Sequence, residues 1–286
     1  MSNPKITIVT PTYNREDLLQ TTIRSIINQT FKDWELVIVD DGSTDNTEQA
    51  IQKYLQDPRI RYVKKQNSGQ AHSLNVGASY AKGEFITFLD SDDEAYSNWL
   101  EVVNAHIKED TSVVCVGAIR KLMDGSKIVE GLSSLKISGR LVRIKFTCGS
   151  LFIKTSIFSA LGGYDAELKS NIQTDLGYRL VAYLEATGSK IVAIDEYLVQ
   201  INIHAGPRIR TNWEKRRVGG IQFLEKHYDF ISRNNPTEIS DIYAVIAFSN
   251  YKLKKRRESV RYLLKAISVR PSEPRNYLRV VKYAFF

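Results

Sequence analysis

The feature that most constrains the fold of this chain is an alternation of short, β-branched apolar runs with amphipathic stretches. The apolar runs are residues 6–10, 35–39, 60–63 and 85–89. Stretches with apolar residues at helical spacing, residues 16–28 and 70–81, lie between them. Buried strands read as continuous apolar runs, and strand–helix–strand repetition favours parallel pairing. The pattern therefore predicts an α/β fold with a mostly parallel central sheet flanked by helices.

The pattern changes after residue 93. Residues 113–116 and 190–203 predict further strands, and residues 174–186 predict a helix. Glycine and serine between residues 120 and 140 predict turns and a hairpin. From about residue 211 the pattern is helical. We expect an α/β domain over residues 1–210 and a basic C-terminal helical extension over residues 211–286.

Composition excludes several classes of protein. No run approaches the roughly 18 consecutive apolar residues of a membrane-spanning helix. Residues 1–5 lack the basic start and apolar stretch of a secretory signal. Two distant cysteines, Cys115 and Cys148, exclude a disulfide framework and a cysteine-based zinc site. These features predict a cytoplasmic protein.

The positive charge of the chain is concentrated in its last part. Residues 252–286 hold eleven Lys or Arg and two acids, whereas the other residues hold 29 basic and 30 acidic side chains. A nucleic-acid-binding enzyme would carry this charge around its working site, so we expect no nucleic-acid partner. Three interpretations of the basic helices stay open: packing on the α/β domain, peripheral contact with an anionic inner membrane surface, and docking of a partner protein. Candidates for the membrane interface are Tyr283, Phe285 and Phe286.

Polar segments follow three of the predicted strands. They are residues 10–15, 40–45 and 90–93, and the last two are rich in aspartate. Open α/β sheets bind ligands beyond the carboxyl ends of their strands. Carboxylates packed close together repel one another, and a bound cation relieves that repulsion. Oxygen ligands suit Mg²⁺ or Mn²⁺, so the sequence predicts a metal site here.

Each of these segments also has a simpler interpretation. Residues 40–45 contain the residue types of a turn and a helix cap, and Asp45 with Glu48 predicts a capping box. A short Asp-x-Asp pattern such as Asp90-Ser91-Asp92 arises by chance in solvated loops. The combination, in this order and on these strand ends, is much more specific than any one segment.

The combination resembles family 2 glycosyltransferases over roughly the first 205 residues. The resemblance is carried by ThrProThrTyrAsnArg at 10–15, AspAspGlySerThrAspAsnThr at 40–47, the stretch 67–93, and LeuGlyGlyTyrAsp at 161–165. It implies the nucleotide-sugar-binding GT-A fold and a hexosyltransferase that moves a sugar from a nucleotide-diphosphate donor to an acceptor hydroxyl with inversion. By family frequency the donor is a UDP-sugar. The family's DXD motif implies Mn²⁺ or Mg²⁺ as cofactor, and its biology implies bacterial polysaccharide or glycoconjugate synthesis with a glycan or lipid-linked acceptor.

The resemblance also implies roles for individual residues. Asp41 would contact the nucleotide base, Asp90 the ribose or the metal's water shell, and Asp92 the metal itself. The whole set implied for nucleotide-sugar binding is Pro11, Thr12, Tyr13, Asn14, Arg15, Asp41, Asn67, Gly69, Asn75, Asp90, Ser91, Asp92, Gly149, Ser150, Arg208 and Arg210.

Two further roles come from the second half of the resemblance. The catalytic base is expected at Asp175, near the start of a helix, where a helix-terminal carboxylate stabilised by the helix dipole is the simpler interpretation. Thr174 departs from the family, which often has Glu there. His204 is expected as a second metal ligand near the diphosphate, with Arg208 and Arg210 beside it as phosphate contacts or as part of a mobile basic loop. The other histidines, including His227, are interpreted as structural or surface residues.

Two other functions are weighed against transfer of a sugar. A sugar-phosphate nucleotidyltransferase shares such a sheet and metal site but typically has a basic, glycine-rich loop after its first strand. This chain has ThrProThrTyrAsnArg at that place. A non-catalytic nucleotide-binding module would lose the acids, yet Asp41, Asp92 and Asp175 are present.

Overall fold

The computed structural model describes residues 3–137, 140–205 and 212–285. Its strands are β1 (Ile6–Thr12), β2 (Trp34–Asp40), β3 (Ile60–Lys64), β4 (Phe85–Phe88), β5 (Glu94–Ala95), β6 (Thr111–Lys121), β7 (Lys127–Glu130), β8 (Ser133–Ile137), β9 (Arg140–Ile144), β10 (Leu151–Lys154) and β11 (Lys190–Asn202). Its helices are α1 (Glu16–Ile27), α2 (Thr47–Ile51), α3 (Gln70–Ser79), α4 (Trp99–His106), α5 (Thr155–Ala160), α6 (Ile172–Thr187), α7 (Trp213–Asn234), α8 (Pro236–Lys252), α9 (Arg256–Val269) and α10 (Pro274–Phe285).

The central sheet has the strand order β3-β2-β1-β4-β10-β6-β11-β5. Its first four strands are parallel, and β1 pairs with both β2 and β4. Beyond β4 the sheet is mixed, because β10 runs antiparallel to β4 and β6. Thr12 at the end of β1 lies opposite Asp40 at the end of β2. The polar segments that follow β1, β2 and β4 therefore share one edge of the sheet.

The core explains why these segments form strands and helices. Ile6, Ile8 and Trp34 of the sheet are buried against Leu19 and Ile23 of α1 in one apolar cluster. Burying a side chain of this size contributes roughly 1.5–3 kcal/mol, so strands that are apolar on both faces gain most when helices cover them. The chain thus has the α/β fold, with helices flanking the sheet, that its periodicity predicts.

The chain divides into two compact units. The α/β unit comprises Met1–Ala166 and Leu176–Ala205, and the helical unit comprises Glu167–Asp175 and Gly206–Phe286. The segment 167–175 thus belongs to the helical unit, while the domain boundary expected after residue 210 lies outside the described residues and stays a prediction. The helical unit holds that segment by hydrogen bonds to Gln222 of α7. Its side chain accepts from the Lys169 amide at 3.1 Å and donates to the Glu167 carbonyl at 3.2 Å.

The helices α8, α9 and α10 pack together in the helical unit. Ser240 of α8 donates to the Ala266 carbonyl of α9, and Ser259 of α9 donates to the Ala247 carbonyl of α8, each at 2.8 Å. Tyr283, a candidate for the membrane interface, is instead buried in this small core. Within the described ranges, none of the helices is both long enough and apolar enough to cross a membrane.

Candidate active site

Asp41 lies at the carboxyl end of β2 and is held by the loop that follows β3. Its carboxylate accepts hydrogen bonds from the backbone amides of Ser68, at 2.9 Å, and Gly69, at 2.8 Å, and from the Lys65 ammonium. Burial raises the pKa of Asp41, but the Lys65 and amide hydrogen bonds and the Lys65 charge outweigh burial and hold that pKa below its usual value. The carboxylate is therefore charged and rigidly oriented. Gly69 is suited to this turn because its φ is 96°.

The neighbouring Asp40 has a structural role. Its two carboxylate oxygens accept from the Ser43 amide, at 2.7 Å, and the Tyr62 hydroxyl, at 2.5 Å, and the residue is fully buried. Asp40 thus closes the turn after β2, while Asp41 faces the loop after β3. This division of roles agrees with the choice of Asp41 as the candidate site residue.

The loops after β1 and β2 are bonded to each other through Asn14. Its amide N–H donates to the Ser43 hydroxyl at 2.9 Å, and its side-chain oxygen accepts from the Thr44 amide at 2.8 Å. Asn14 has φ 50°, a left-handed conformation that asparagine tolerates better than most residues. Beside it the Tyr13 side chain is 46% exposed, so its aromatic face is available to a planar ligand.

Three carboxylates come together after β4. Oxygens of Asp90, Asp92 and Asp93 lie within 4.8 Å of one another. The side chain of Gln70 donates to Asp90 at 2.9 Å. Asp93 is buried and accepts from the Asn202 amide of β11 at 3.0 Å, which ties the loop to the neighbouring strand. Asp90 and Asp92 are half-buried and so the more accessible pair.

His204 lies directly against Asp92. Its Nε2 atom is 2.7 Å from the Asp92 carboxylate and 3.0 Å from the Arg15 guanidinium, which is itself 3.9 Å from that carboxylate. β11 brings His204 to this place, because Asn202 at its end donates to the Asp92 carbonyl at 2.9 Å. Residues 15, 92 and 204, far apart in sequence, thus form one polar cluster.

The cluster fits a hard divalent cation. Carboxylate oxygens are the ligands that Mg²⁺ and Mn²⁺ prefer, and imidazole nitrogen is an accepted additional ligand for Mn²⁺ and similar metals. Asp90, Asp92 and Asp93 after β4 would offer the oxygens, and His204 after β11, which lies against Asp92, would offer a nitrogen. Three acids this close repel one another, and a cation removes that repulsion.

Other predicted donor residues have structural partners. The side-chain amide of Asn75 donates to the Tyr164 carbonyl at 2.7 Å and accepts from the Tyr164 amide at 2.8 Å, which connects α3 to the LeuGlyGlyTyrAsp segment. Gly149 has φ 75°, and a Cβ there would lie 2.8 Å from Val199. Ser150 is fully buried. These contacts account for three of the matched positions by packing, and their roles in donor binding stay predictions.

The remaining predicted donor residues are placed as follows. Pro11, Thr12 and Ser91 are buried around the strand ends, whereas Asn67 is exposed in the loop beside Asp41. Arg208 and Arg210 lie outside the described residues.

Asp175 occupies the first turn of α6 and is fully buried. Its Oδ1 atom is 2.7 Å from the Lys226 ammonium and 2.8 Å from His227 Nε2, both on α7. A buried carboxylate requires such partners, because an unpaired charge in the protein interior costs several kcal/mol of desolvation. The role of Asp175 as a base stays a prediction.

Several residues of these clusters were not expected from the sequence. Lys65 and Gln70 bind Asp41 and Asp90, and Lys226 and His227 bind Asp175. Lys65 and Gln70 lie within or beside the matched loop, so a search of that loop for polar residues would have found them. No local pattern marks Lys226 or His227, which lie about fifty residues after their partner.

Comparison with known proteins identifies the family. The sequence model described as Glycosyl transferase family 2 matches residues 7–160, the stretch that supplies β1 to β4 and the aspartate cluster. The chain belongs to glycosyl transferase family 2. This confirms the resemblance to the family that the motifs carry.

Relatives of similar length and of greater length both match the chain. It is 30% identical over 279 residues to the putative colanic acid biosynthesis glycosyl transferase WcaA of Escherichia coli strain K12, covering 94% of this chain and 95% of that protein. It is 28% identical over 250 residues to an uncharacterized glycosyltransferase of Rickettsia felis, covering 86% of this chain. The alignment spans only 41% of the length of that longer relative.

The fold matches a solved glycosyltransferase structure. The crystal structure of S. aureus TarS 1-349 in complex with UDP-GlcNAc gives a TM-score of 0.65, with 20% identity, over 93% of this chain and 81% of that chain. The chain therefore has the GT-A fold.

Proposed function

We propose that this glycosyltransferase moves a sugar from a nucleotide-diphosphate donor, a UDP-sugar, to an acceptor hydroxyl with inversion at the anomeric carbon, in a metal-dependent reaction. The observation that carries the proposal is the arrangement of acids on either side of β1. Asp41 follows β2, the cluster of Asp90 and Asp92 follows β4, and β1 pairs with both strands. A nucleotide-diphosphate donor needs a site for its base and a site for its diphosphate next to each other.

The nucleotide base of the donor binds beside Asp41. The oriented carboxylate of Asp41 accepts a hydrogen bond from the base, and the exposed ring of Tyr13 packs on the base. The UDP-GlcNAc named for the TarS structure is in keeping with a UDP-sugar. Asn14 keeps the two loops together, so the pocket is formed before the donor binds.

The diphosphate half uses the aspartate cluster. Asp92 and His204 hold Mn²⁺ or Mg²⁺, and Asp90 orients the ribose or the water shell. When bound there, such a cation supplies Lewis-acid stabilisation of the charge that develops on the leaving diphosphate. Arg15, 3.0 Å from His204, adds a positive charge beside the phosphate position.

We propose Asp175 as the base that removes the proton of the acceptor hydroxyl. Lys226 compensates the charge of the carboxylate, and His227 fixes its orientation by a hydrogen bond. The first turn of a helix is rigid, so it holds the carboxylate in the fixed orientation that general-base catalysis needs. The hydroxyl oxygen forms the new glycosidic bond while the bond to the diphosphate breaks, and the proton goes to Asp175.

The biological setting that we propose is synthesis of a bacterial polysaccharide or glycoconjugate in the cytoplasm, with a glycan or lipid-linked acceptor. The support is the similarity to the E. coli protein described as a putative colanic acid biosynthesis glycosyl transferase, which aligns with nearly the whole chain.

The test is calorimetric binding of a panel of UDP-, GDP- and dTDP-sugars with and without Mn²⁺ or Mg²⁺, followed by donor hydrolysis. We expect one UDP-sugar to bind in the presence of metal and to be hydrolysed slowly, with the inverted sugar as first product. A mixture of nucleoside triphosphate and sugar phosphate serves as the control reaction, because a nucleotidyltransferase would consume it. Absence of binding by every nucleotide sugar would contradict the proposal.

A further inference from the structure

The ends of three helices in the helical unit meet at one place. Asn276, early in α10, lies 3.5 Å from Ser240, early in α8, and Tyr283, late in α10, stacks on Tyr251, late in α8, with ring centroids 4.3 Å apart. The helices α8 and α10 therefore run in the same direction. The helix α9 runs the opposite way, because Ser240 bonds to Ala266 near its end. The end of α8, the start of α9 and the end of α10 thus lie together.

This meeting point gathers basic side chains. They are Lys252, Lys254, Lys255, Arg256, Arg257 and Lys282, and all six are exposed. We call them the basic end. Within the described residues, Glu214 is 3.5 Å from Lys255, and Glu258 of α9 is 3.7 Å from Arg261 further along the same helix. The basic end keeps a large positive excess.

Some of these charges lie where local structure disfavours them. Lys254 has φ 61°, in the left-handed region where glycine is preferred after a helix. Its amide and that of Lys255 donate to the Tyr251 and Asn250 carbonyls, at 3.0 and 2.9 Å, which is the bonding pattern of a glycine-type helix end. Arg256 and Arg257 open α9, at the positive end of its dipole. The left-handed conformation thus disfavours lysine at 254, and the dipole of α9 disfavours arginine at 256 and 257.

An exposed apolar stripe adjoins the basic end. Leu278 and Val281, one turn apart on α10, are 71% and 56% exposed, and Lys282 follows directly. The opposite side of α10 is buried through Asn276 and Tyr283. Apolar and basic side chains on one surface provide the two contributions, insertion and electrostatic attraction, that peripheral binding to a membrane requires.

We propose that the basic end and the apolar stripe together bind the surface of a membrane that contains anionic phospholipids. The basic side chains contact the phosphate headgroups, and Leu278 and Val281 enter the boundary between headgroups and acyl chains. A purely acidic protein partner would use the charges but would leave the apolar stripe without a function. This binding is separate from glycosyl transfer and does not depend on the donor.

The experiment is flotation of the full chain with vesicles, without donor or metal. Vesicles of phosphatidylcholine alone are compared with vesicles of equal parts phosphatidylcholine and phosphatidylglycerol, at low and high salt. We expect binding only to the phosphatidylglycerol vesicles and release at high salt, because salt screens the exposed charges. Lys254→Gly and Arg257→Gln should each weaken partitioning about fivefold. The double variant Leu278→Ser/Val281→Ser should weaken it about tenfold.

Lys254→Gly separates binding from folding. Glycine relieves the left-handed conformation, so this variant should unfold at a higher temperature while binding vesicles less well. The matched controls are Lys127→Gln and Leu141→Ser, which remove an exposed charge and an exposed apolar side chain from the α/β unit and should bind like wild type. Equal binding to both vesicle types, or wild-type binding by Lys254→Gly and Arg257→Gln, would overturn the proposal. Absence of binding at low salt would also overturn it and would leave an acidic protein surface as the alternative.

Discussion

The two units of this family 2 chain hold their candidate site acids in different ways. In the α/β unit, Asp90 and Asp92 lie half-buried at the end of β4, and His204 and Gln70 each bond to one of them. In the helical unit, Asp175 is fully buried and bonded to Lys226 and His227 of α7. The acids of the first arrangement are partly accessible to solvent. The second neutralises its charge with the protein's own side chains.

The difference shows what determines the positions of the acids in each site. Strand register places the acids of the α/β unit, because parallel β1, β2 and β4 end at one edge of the sheet. The bonds from Lys226 and His227 of α7 place Asp175, which lies in the same unit. A change in the first site should therefore act on ligand binding, whereas a change in the second should act on turnover and folding together.

Replacement of Asp92, the acid proposed to bind the metal, should have the largest effect. Asp92→Ala should lower metal-dependent turnover by about 10⁴-fold, because it removes the carboxylate that faces His204 and with it several kcal/mol of charge stabilisation. The measurement is donor hydrolysis over a range of Mn²⁺ concentrations. Asp195→Ala, which changes an exposed acid on β11, is the control and should retain wild-type rates. Unchanged metal dependence in Asp92→Ala would place the metal elsewhere.

Replacement of the buried acid should have the next largest effect. Asp175→Asn should lower the rate of sugar transfer about 10³-fold, the range of a lost general base, and leave donor affinity unchanged. His227→Gln keeps a hydrogen-bond donor beside Asp175 and should cost about tenfold in rate with the same donor affinity. The measurements are single-turnover transfer and calorimetric donor binding. Near-normal transfer by Asp175→Asn would show that Asp175, Lys226 and His227 form only a structural ion cluster.

The fold of the α/β unit was largely predictable from periodicity. The runs at 35–39 and 85–89 are β2 and β4, and the stretch at 16–28 is α1, to within one residue at nearly every end. The capping box expected from Asp45 and Glu48 is wrong. Asp45 accepts from the amide and hydroxyl of Thr47, and Glu48 pairs with Lys64 at 2.8 Å. Glu48 pairs with Lys64 of β3 because the lysine carries a full positive charge, whereas a backbone amide at the helix start does not.

The positions of the candidate site residues were predictable only for residues that come directly after a strand of the sheet. The aspartates after β2 and β4 were expected together and are found at one edge. The pairing of Asp175 with His227 was not expected, since it depends on how α7 packs on the segment 167–175. The contact between α7 and the segment 167–175 depends on single side chains, and such contacts leave no periodic pattern in the sequence.

A pair of adjacent glycines tests whether that packing positions Asp175. A Cβ on Gly219 would lie 2.4 Å from the Ser170 backbone nitrogen, so Gly219→Ala should cost about 1–3 kcal/mol in stability and lower turnover. A Cβ on Gly220 would lie 3.0 Å from Ile246, a side chain that can adjust. Alanine also favours a helix by about 1 kcal/mol over glycine, so Gly220→Ala should be nearly neutral. Denaturant unfolding and turnover are measured on both, and equal effects would contradict the comparison.

The smallest effect should come from Asp41, and it should depend on pH. The folded protein lowers the pKa of Asp41, so this group stabilises the fold fully above its unfolded pKa, near 4, and that stability is lost as pH falls through the lower folded pKa. Asp41→Asn cannot ionise and should lose about 1 kcal/mol at neutral pH, where the wild type has charged hydrogen bonds from Lys65 and Gly69. The free energies of unfolding of the two proteins should converge as the pH is lowered below 4. Parallel curves across this range would mean that Asp41 does not gain stability from its charge. The loop after β3 would then be held by packing alone. The difference between the acid sites of the two units would be smaller than we infer.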